Sequence, residues 1–347
     1  MNIGTTAARK PIIISYIFFA ALMVLVAMLH LGTPFVAALF CYLALRKLSF
    51  THRRWVALLL FIFLFVAIFA GCVFFLKRAA NALPDIVETT IPTVVQSAQK
   101  HGIELPFTDM DSLKAVAMDS VRDALGDLGN YVRVATKEFV FLLFGIVVAA
   151  GIFLNPDFET EEERRSGGAN LYSIYTAEIR RRFASLYASF ETVIGAQIII
   201  SAVNTLLTGI FLFSSGLRHA TVVLILTFLC GLLPIVGNLI SNTIIVCIAF
   251  TASIKLAIIA VAFLVVIHKL EYFLNSRIIG GRIRHPMWLI LLALLIGEQL
   301  MGIPGMILAP VILSFVKVEM RKFSAADDLP SNRPPRARPE RRELTPV

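Results

Sequence analysis

Residues 11–45 contain no Asp, Glu, Lys or Arg, and neither do residues 219–254. Uninterrupted apolar runs of this length are the signature of segments that lie in lipid. As one helix the first run would be about 52 Å long at 1.5 Å per residue, against about 30 Å of hydrocarbon. A single span cannot use that length. Gly32 and Pro34 stand in the middle of the run, so it is expected to fold as two helices joined by a tight turn. The whole chain is 58% hydrophobic and 16% charged, where a soluble domain is roughly 45–50% apolar and 25% charged. That excludes an ordinary water-soluble domain, disorder over most of the chain and a small disulfide scaffold.

The rest of the chain follows the same logic. Residues 55–76, 139–156, 192–217 and 256–275 each predict a span. The 219–254 run is expected to break at Pro234–Asn238 into two short helices. The apolar stretch from Pro286 to Val316 is interrupted by Gly302-Ile303-Pro304-Gly305 and predicts a second hairpin, over 287–317. Residues 77–137 differ: they hold Pro84, Pro92 and Pro106, and acidic residues outnumber basic ones. Apolar residues recur near helical spacing at Leu113, Val116, Ala117, Val121, Leu125 and Leu128, which predicts an extramembrane amphipathic helix. The tail over 321–347 is Pro/Arg-rich and is expected to be disordered in the cytoplasm.

The expected architecture is an all-α polytopic integral membrane protein. It has about eight transmembrane helices, broken or re-entrant hairpins at 219–254 and 287–317, and the amphipathic extramembrane segment. Four units are expected: three N-terminal helices over 1–76, the extracytoplasmic segment 77–137, a transport core over 138–320 and the tail 321–347.

The net charge of +9 does not require a nucleic-acid partner, because the basic residues cluster between apolar blocks. Span counting puts Arg9-Lys10, Arg46–Arg54, Arg164–Arg182, Arg277–Arg284 and Lys317–Arg342 on one side. The positive-inside rule makes that side the cytoplasm, with both termini there. Cys41, Cys72, Cys230 and Cys247 lie inside apolar blocks without a CxxC pair, so disulfide and metal sites are not expected.

No HExxH, Walker lysine loop, GxSxG or strand-based glycine fingerprint occurs, and no Asp lies within a span. An enzyme and a cofactor are therefore not expected. Three features remain. The broken hairpins bring Pro234, Gly237, Asn238, Gly302 and Pro304 forward, since interrupted helices within lipid point to transport sites. The alternative is that each is a tight loop at a membrane face. The second feature is a polar stripe at steps of four, three and four: Gln197, Ser201, Asn204 (or Thr205) and Thr208. His268, Glu271 or Tyr272, and Asn275 form a similar face on a later span. Such faces either line a pathway or hydrogen-bond between helices. The third is Glu298, the only ionisable residue between His285 and Lys317. It suits a proton-coupled step, or it sits in water at a membrane face beside the Gly302–Gly305 turn.

The motifs carry a resemblance. They are Pro34-Phe35-Val36-Ala37-Ala38-Leu39, then Pro234-x-x-Gly237 after an apolar run, then His268-Lys269-Leu270-Glu271-Tyr272-Phe273-Leu274-Asn275. Arg277-Ile278-Ile279-Gly280, His285-Pro286 and Gly302-Ile303-Pro304-Gly305-Met306-Ile307-Leu308-Ala309-Pro310 follow. In order and spacing the chain resembles the autoinducer-2 exporter (AI-2E) family of bacterial permeases over about residues 10–320. Ser276 departs from the pattern, where many relatives have Pro before the Arg, and 77–137 holds no matching motif. The resemblance implies about eight spans with cytoplasmic termini in a bacterial plasma membrane, homo-oligomeric assembly, and export of small polar solutes. Some members of the family look like sodium(lithium)/proton antiporters instead. The expected partners are thus membrane lipid and a small polar solute or monovalent cation. A reading of another class is a non-transporting scaffold that presents 77–137 to a partner.

Overall fold

The computed structural model describes residues 3–50, 53–100, 128–155, 171–217, 220–233, 236–278 and 286–322. Among them there are ten helices and no strand. They are α1 (Ile3–Met28), α2 (Gly32–Leu48), α3 (Arg54–Lys100), α4 (Leu128–Leu154), α5 (Leu171–Ser214), α6 (Ala220–Gly231), α7 (Val236–Ala252), α8 (Ile254–Ile278), α9 (Met287–Met301) and α10 (Ile303–Met320). Five helical stretches are long and apolar enough to cross a membrane: Lys10–Met28, Arg54–Arg78, Val132–Leu154, Leu171–Ser214 and Ile303–Met320. The protein is an all-helical, multi-pass membrane protein, as its composition requires.

Both expected hairpins form, and so does the break in the first run. That break falls at Leu29–Leu31, just before Gly32, with His30 at φ 54°. Gly32 instead opens α2, where a Cβ would lie 3.0 Å from that of Pro304. The second run breaks after Gly231, and Val236 already begins α7, so Gly237 and Asn238 stand in its first turn. At 12 residues, α6 is about 18 Å long, too short to cross about 30 Å of hydrocarbon. It ends inside the helical bundle.

Two helices run past their spans. α3 has 47 residues and continues without interruption from the third span into the segment expected to lie outside the membrane. Charge marks where a helix leaves lipid, not where it stops. The amphipathic pattern from Leu113 to Leu125 lies outside the described residues, as does the tail beyond 322. α5 has 44 residues, about 66 Å, or twice a hydrocarbon thickness. Its charges end at Glu191, so the second half is the span and the first half projects beyond it.

α5 is also the mast of the bundle. Near its middle, Leu186, Phe190 and Ile194 pack with Phe19 of α1, Leu43 of α2, and Val311 and Phe315 of α10. At its far end, Phe211 and Leu212 join Val223, Ile245, Ala249, Ala260 and Leu264 from α6, α7 and α8. A third cluster joins α2, α3 and α4 through Leu45, Phe61 and Ala149. The outer surface is apolar as well: Ile17, Phe63, Phe74 and Val147 are each largely exposed. In water such a surface would aggregate; in a bilayer it is the lipid face.

Candidate functional site

The end of α6 poses a problem of hydrogen bonding. A helix that stops inside an apolar bundle leaves its last carbonyls without partners. Pro at position 234 cannot continue the ladder. The polar stripe of α5 supplies what is missing. Gln197 Nε2 donates to the Gly231 carbonyl at 2.6 Å, and Ser201 Oγ donates to the Phe228 carbonyl at 2.8 Å. Two members of the stripe are therefore bound to the broken helix, which is the interhelical role the spacing left open.

The next residue on that face does something else. Asn204 is 6% exposed, and its side chain stands beside the carboxylate of Glu271 of α8. From the first turn of α7, Asn238 Nδ2 donates to Glu271 Oε1 at 2.7 Å. His268 Nδ1 stands 3.8 Å from Glu271 Oε2. One carboxylate thus collects two amides and an imidazole from three helices. Next to a carboxylate the Asn204 amide turns its nitrogen toward the charge, and its Oδ1 is buried without a hydrogen-bond partner among the described residues. A buried amide oxygen left open beside a carboxylate is an acceptor waiting for a cation or a polar hydrogen.

Close approach holds this geometry. A Cβ on Gly237 would lie 1.6 Å from the Cys230 carbonyl oxygen, and one on Gly231 would lie 2.5 Å from Ser201 Oγ. Backbone meets backbone at the α6–α7 break, and that brings Asn238 within reach of Glu271. Gln197→Leu should leave the Gly231 carbonyl buried and unsatisfied, at a cost of about 1–3 kcal/mol. Thermal unfolding of the detergent-purified variant measures this. A melting point equal to wild type would mean that the bond at 231 adds nothing.

Gln197, Asn204, Gly237, Asn238 and Glu271 are thus brought together from three separate stretches of sequence. Pro234 and the side chain of Asn275 lie outside the described residues. Glu298, Gly302 and Pro304 belong elsewhere, in the α9–α10 hairpin. Glu298 is exposed there, with no charged or hydrogen-bonding partner for its carboxylate among the described residues. Pro304 and Met301 pack against Gly32 at the start of α2. Among the described residues no group of three or more His, Cys, Asp or Glu side chains could hold a metal ion.

A second polar centre escaped the sequence reading. Arg182, read as part of a basic loop, is 6% exposed, and Glu319 in the last turn of α10 is 3% exposed. Arg182 Nη1 donates to Glu319 Oε2 at 2.6 Å, its Nη2 to Glu178 Oε2 at 3.0 Å and its Nε to Ser15 Oγ at 3.2 Å. Tyr16 Oη donates to the same Glu319 oxygen at 2.5 Å, and its ring lies 4.0 Å from the guanidinium carbon. Lys322 pairs with the other Glu319 oxygen. Two signals were present: Glu178 one turn before Arg182, and a lone acid ending an apolar span.

Residues 12–325 match the family described as AI-2E family transporter. The chain belongs to this family. It is also similar to two proteins of Bacillus subtilis (strain 168). One is "Putative transport protein YdbI", 25% identical over 280 residues, which cover 76% of this chain and 75% of that protein. The other is "Putative transport protein YrrI", 30% identical over 132 residues, 38% of this chain and 37% of that protein. The matched region holds every helix described here apart from the start of α1. The fold and the family agree on a membrane permease, and the AI-2E match includes both hairpins and the Asn204–Glu271 cluster.

Proposed function

We propose that this AI-2E family permease is a secondary transporter that exports a small polar solute across a bacterial plasma membrane, with both termini in the cytoplasm. The observation that carries this reading is the convergence of Asn204, Asn238 and Glu271 on a helix broken inside the bundle. A static scaffold gains nothing from an interrupted helix, whereas a transporter uses one to present polar groups at depth. Glu271 and the open Asn204 oxygen accept hydrogen bonds from the solute, and Asn238 carries the motion of the α6–α7 hairpin to Glu271. With no nucleotide-binding motif in the sequence, an ion gradient or the solute gradient itself drives the cycle. Copies of the chain assemble as a homo-oligomer.

A second reading, sodium(lithium)/proton antiport, is favoured by the same oxygens. Glu271 and Asn204 Oδ1 are hard ligands suited to a small cation. The two readings part in liposomes that carry a pH-sensitive dye. Under export of an organic solute, sodium or lithium pulses alone move no protons, and efflux of a small polar metabolite is lost in Glu271→Gln. Under antiport, the cation pulse alone moves protons and Glu271→Gln stops it. If neither cations nor small polar metabolites move, and deleting residues 80–135 alone abolishes the cellular function, the scaffold reading replaces both.

A further inference from the structure

We propose that the buried Arg182–Glu319 pair is the lock of a gate, which opens by parting α5 from α10 at their basic end. The polar contacts joining α5, α10 and α1 gather in one layer there. Ser15 and Tyr16 come from α1, Arg182 from α5 and Glu319 from α10. Lys322 Nζ also donates to Ser185 Oγ at 3.4 Å. Deeper along the same two helices the contact is apolar, made by Phe190, Ile194, Val311 and Phe315.

A buried ion pair is a poor way to hold two helices permanently. Removing both ions from water offsets most of their attraction, and an apolar contact of similar size often holds as well or better. What the ions offer is two states of similar energy. When the helix ends part, water enters and solvates Arg182 and Glu319, which recovers much of the lost interaction. Apolar side chains would be penalised by the same water.

The layer just inside the lock points the same way. Ser189 on α5 and Ser314 on α10 are 4% and 0% exposed, and neither hydroxyl has a hydrogen-bond partner among the described residues. A permanently closed interface satisfies such groups. Water admitted past the lock would satisfy both. From Ser189 to Asn204 the distance along α5 is about 22 Å, so an opening at the lock begins a path beside the helix that carries the Asn204–Glu271 cluster. The proposal rests on membership of a transporter family and not on the identity of the solute.

The test reads access to water without needing a substrate. The four native cysteines are replaced by serine, Ser189→Cys is introduced, and its reaction with a water-soluble maleimide is timed in lipid nanodiscs. Thr208→Cys, 2% exposed in the parent and at the far end of α5, is the control. Glu319→Gln removes a charged hydrogen bond and should speed labelling at 189 at least about ten-fold. Tyr16→Phe keeps the ring over Arg182 and removes only the hydroxyl bond, so it should speed labelling about three-fold. Labelling at 208 should be unchanged in both. If Glu319→Gln does not fold, Tyr16→Phe decides alone. Equal acceleration at 189 and 208, or none at 189, overturns the gate and leaves the pair as a structural fastener.

Discussion

Transport by Glu271→Gln should fall by about two orders of magnitude while the protein still inserts and purifies normally. The size follows from the contacts. Glu271 accepts from Asn238 at 2.7 Å, with Asn204 beside it and His268 Nδ1 at 3.8 Å. A hydrogen bond to a charged group contributes about 1.5–3 kcal/mol, and each 1.4 kcal/mol is ten-fold. Gln keeps the shape and one acceptor but loses the charge and turns one oxygen into a donor, so two contacts are weakened together. The expected loss has a direct contrast. Glu298→Gln alters an exposed carboxylate with no partner among the described residues, and should keep most of the activity. Flux through proteoliposomes of the two variants, at matched protein content, is the measurement. If Glu298→Gln is dead and Glu271→Gln is active, the site belongs to the α9–α10 hairpin and the cluster described here is only a helix contact.

That contrast shows what residue patterns revealed and what they did not. The spans and both hairpins were legible because charge and length act locally: a charge-free run must enter lipid, and one longer than the bilayer must break, which it does next to Gly32, Gly231 and Gly302, while Pro11 and Pro310 stay inside their helices. The inward face of α5 was legible because Gln197, Ser201 and Asn204 repeat at helical steps. Their separate roles were not. Spacing puts all three on one face, but only the position of α6 makes Gln197 and Ser201 partners of stranded carbonyls and leaves Asn204 for Glu271. Glu298 stood out as a lone ionisable residue in an apolar stretch. Whether such a residue points into a bundle depends on helix rotation, which one charge cannot set. Arg182 failed in the opposite sense. A run of three arginines has the look of a solvated loop, and its burial comes from α1 and α10, which are remote in sequence.

The largest loss of stability is expected from Gly305→Ala. A Cβ at Gly305 would lie 1.8 Å from the Gly297 carbonyl oxygen, and a Cβ at Gly297 would lie 2.5 Å from the Gly305 carbonyl oxygen. Both obstacles are backbone, so no side chain can swing aside. Non-bonded atoms prefer roughly 3.5–4 Å, so α9 and α10 must separate by more than about 1 Å. That loosens Leu294, Met306 and Ala309, which form the small core of the hairpin. It also disturbs Pro304 and Met301 where they meet Gly32. Overpacking a core typically costs about 1–3 kcal/mol and sometimes more, and a backbone obstacle places this variant at or above about 3 kcal/mol. Gly302→Ala strains the same hairpin by another route. Its backbone sits at φ 63°, ψ −143°, a region open almost only to glycine, and the cost is about 1–3 kcal/mol. Gly151→Ala is the control, because nothing lies within 4 Å of a Cβ there. Denaturant unfolding in detergent should rank the variants Gly305→Ala, Gly302→Ala, then Gly151→Ala level with wild type. If Gly305→Ala unfolds with Gly151→Ala, the two helices have room to part. The α9–α10 hairpin would then be a loose pair, unable to transmit movement from the basic end of α10 to its contact with α2.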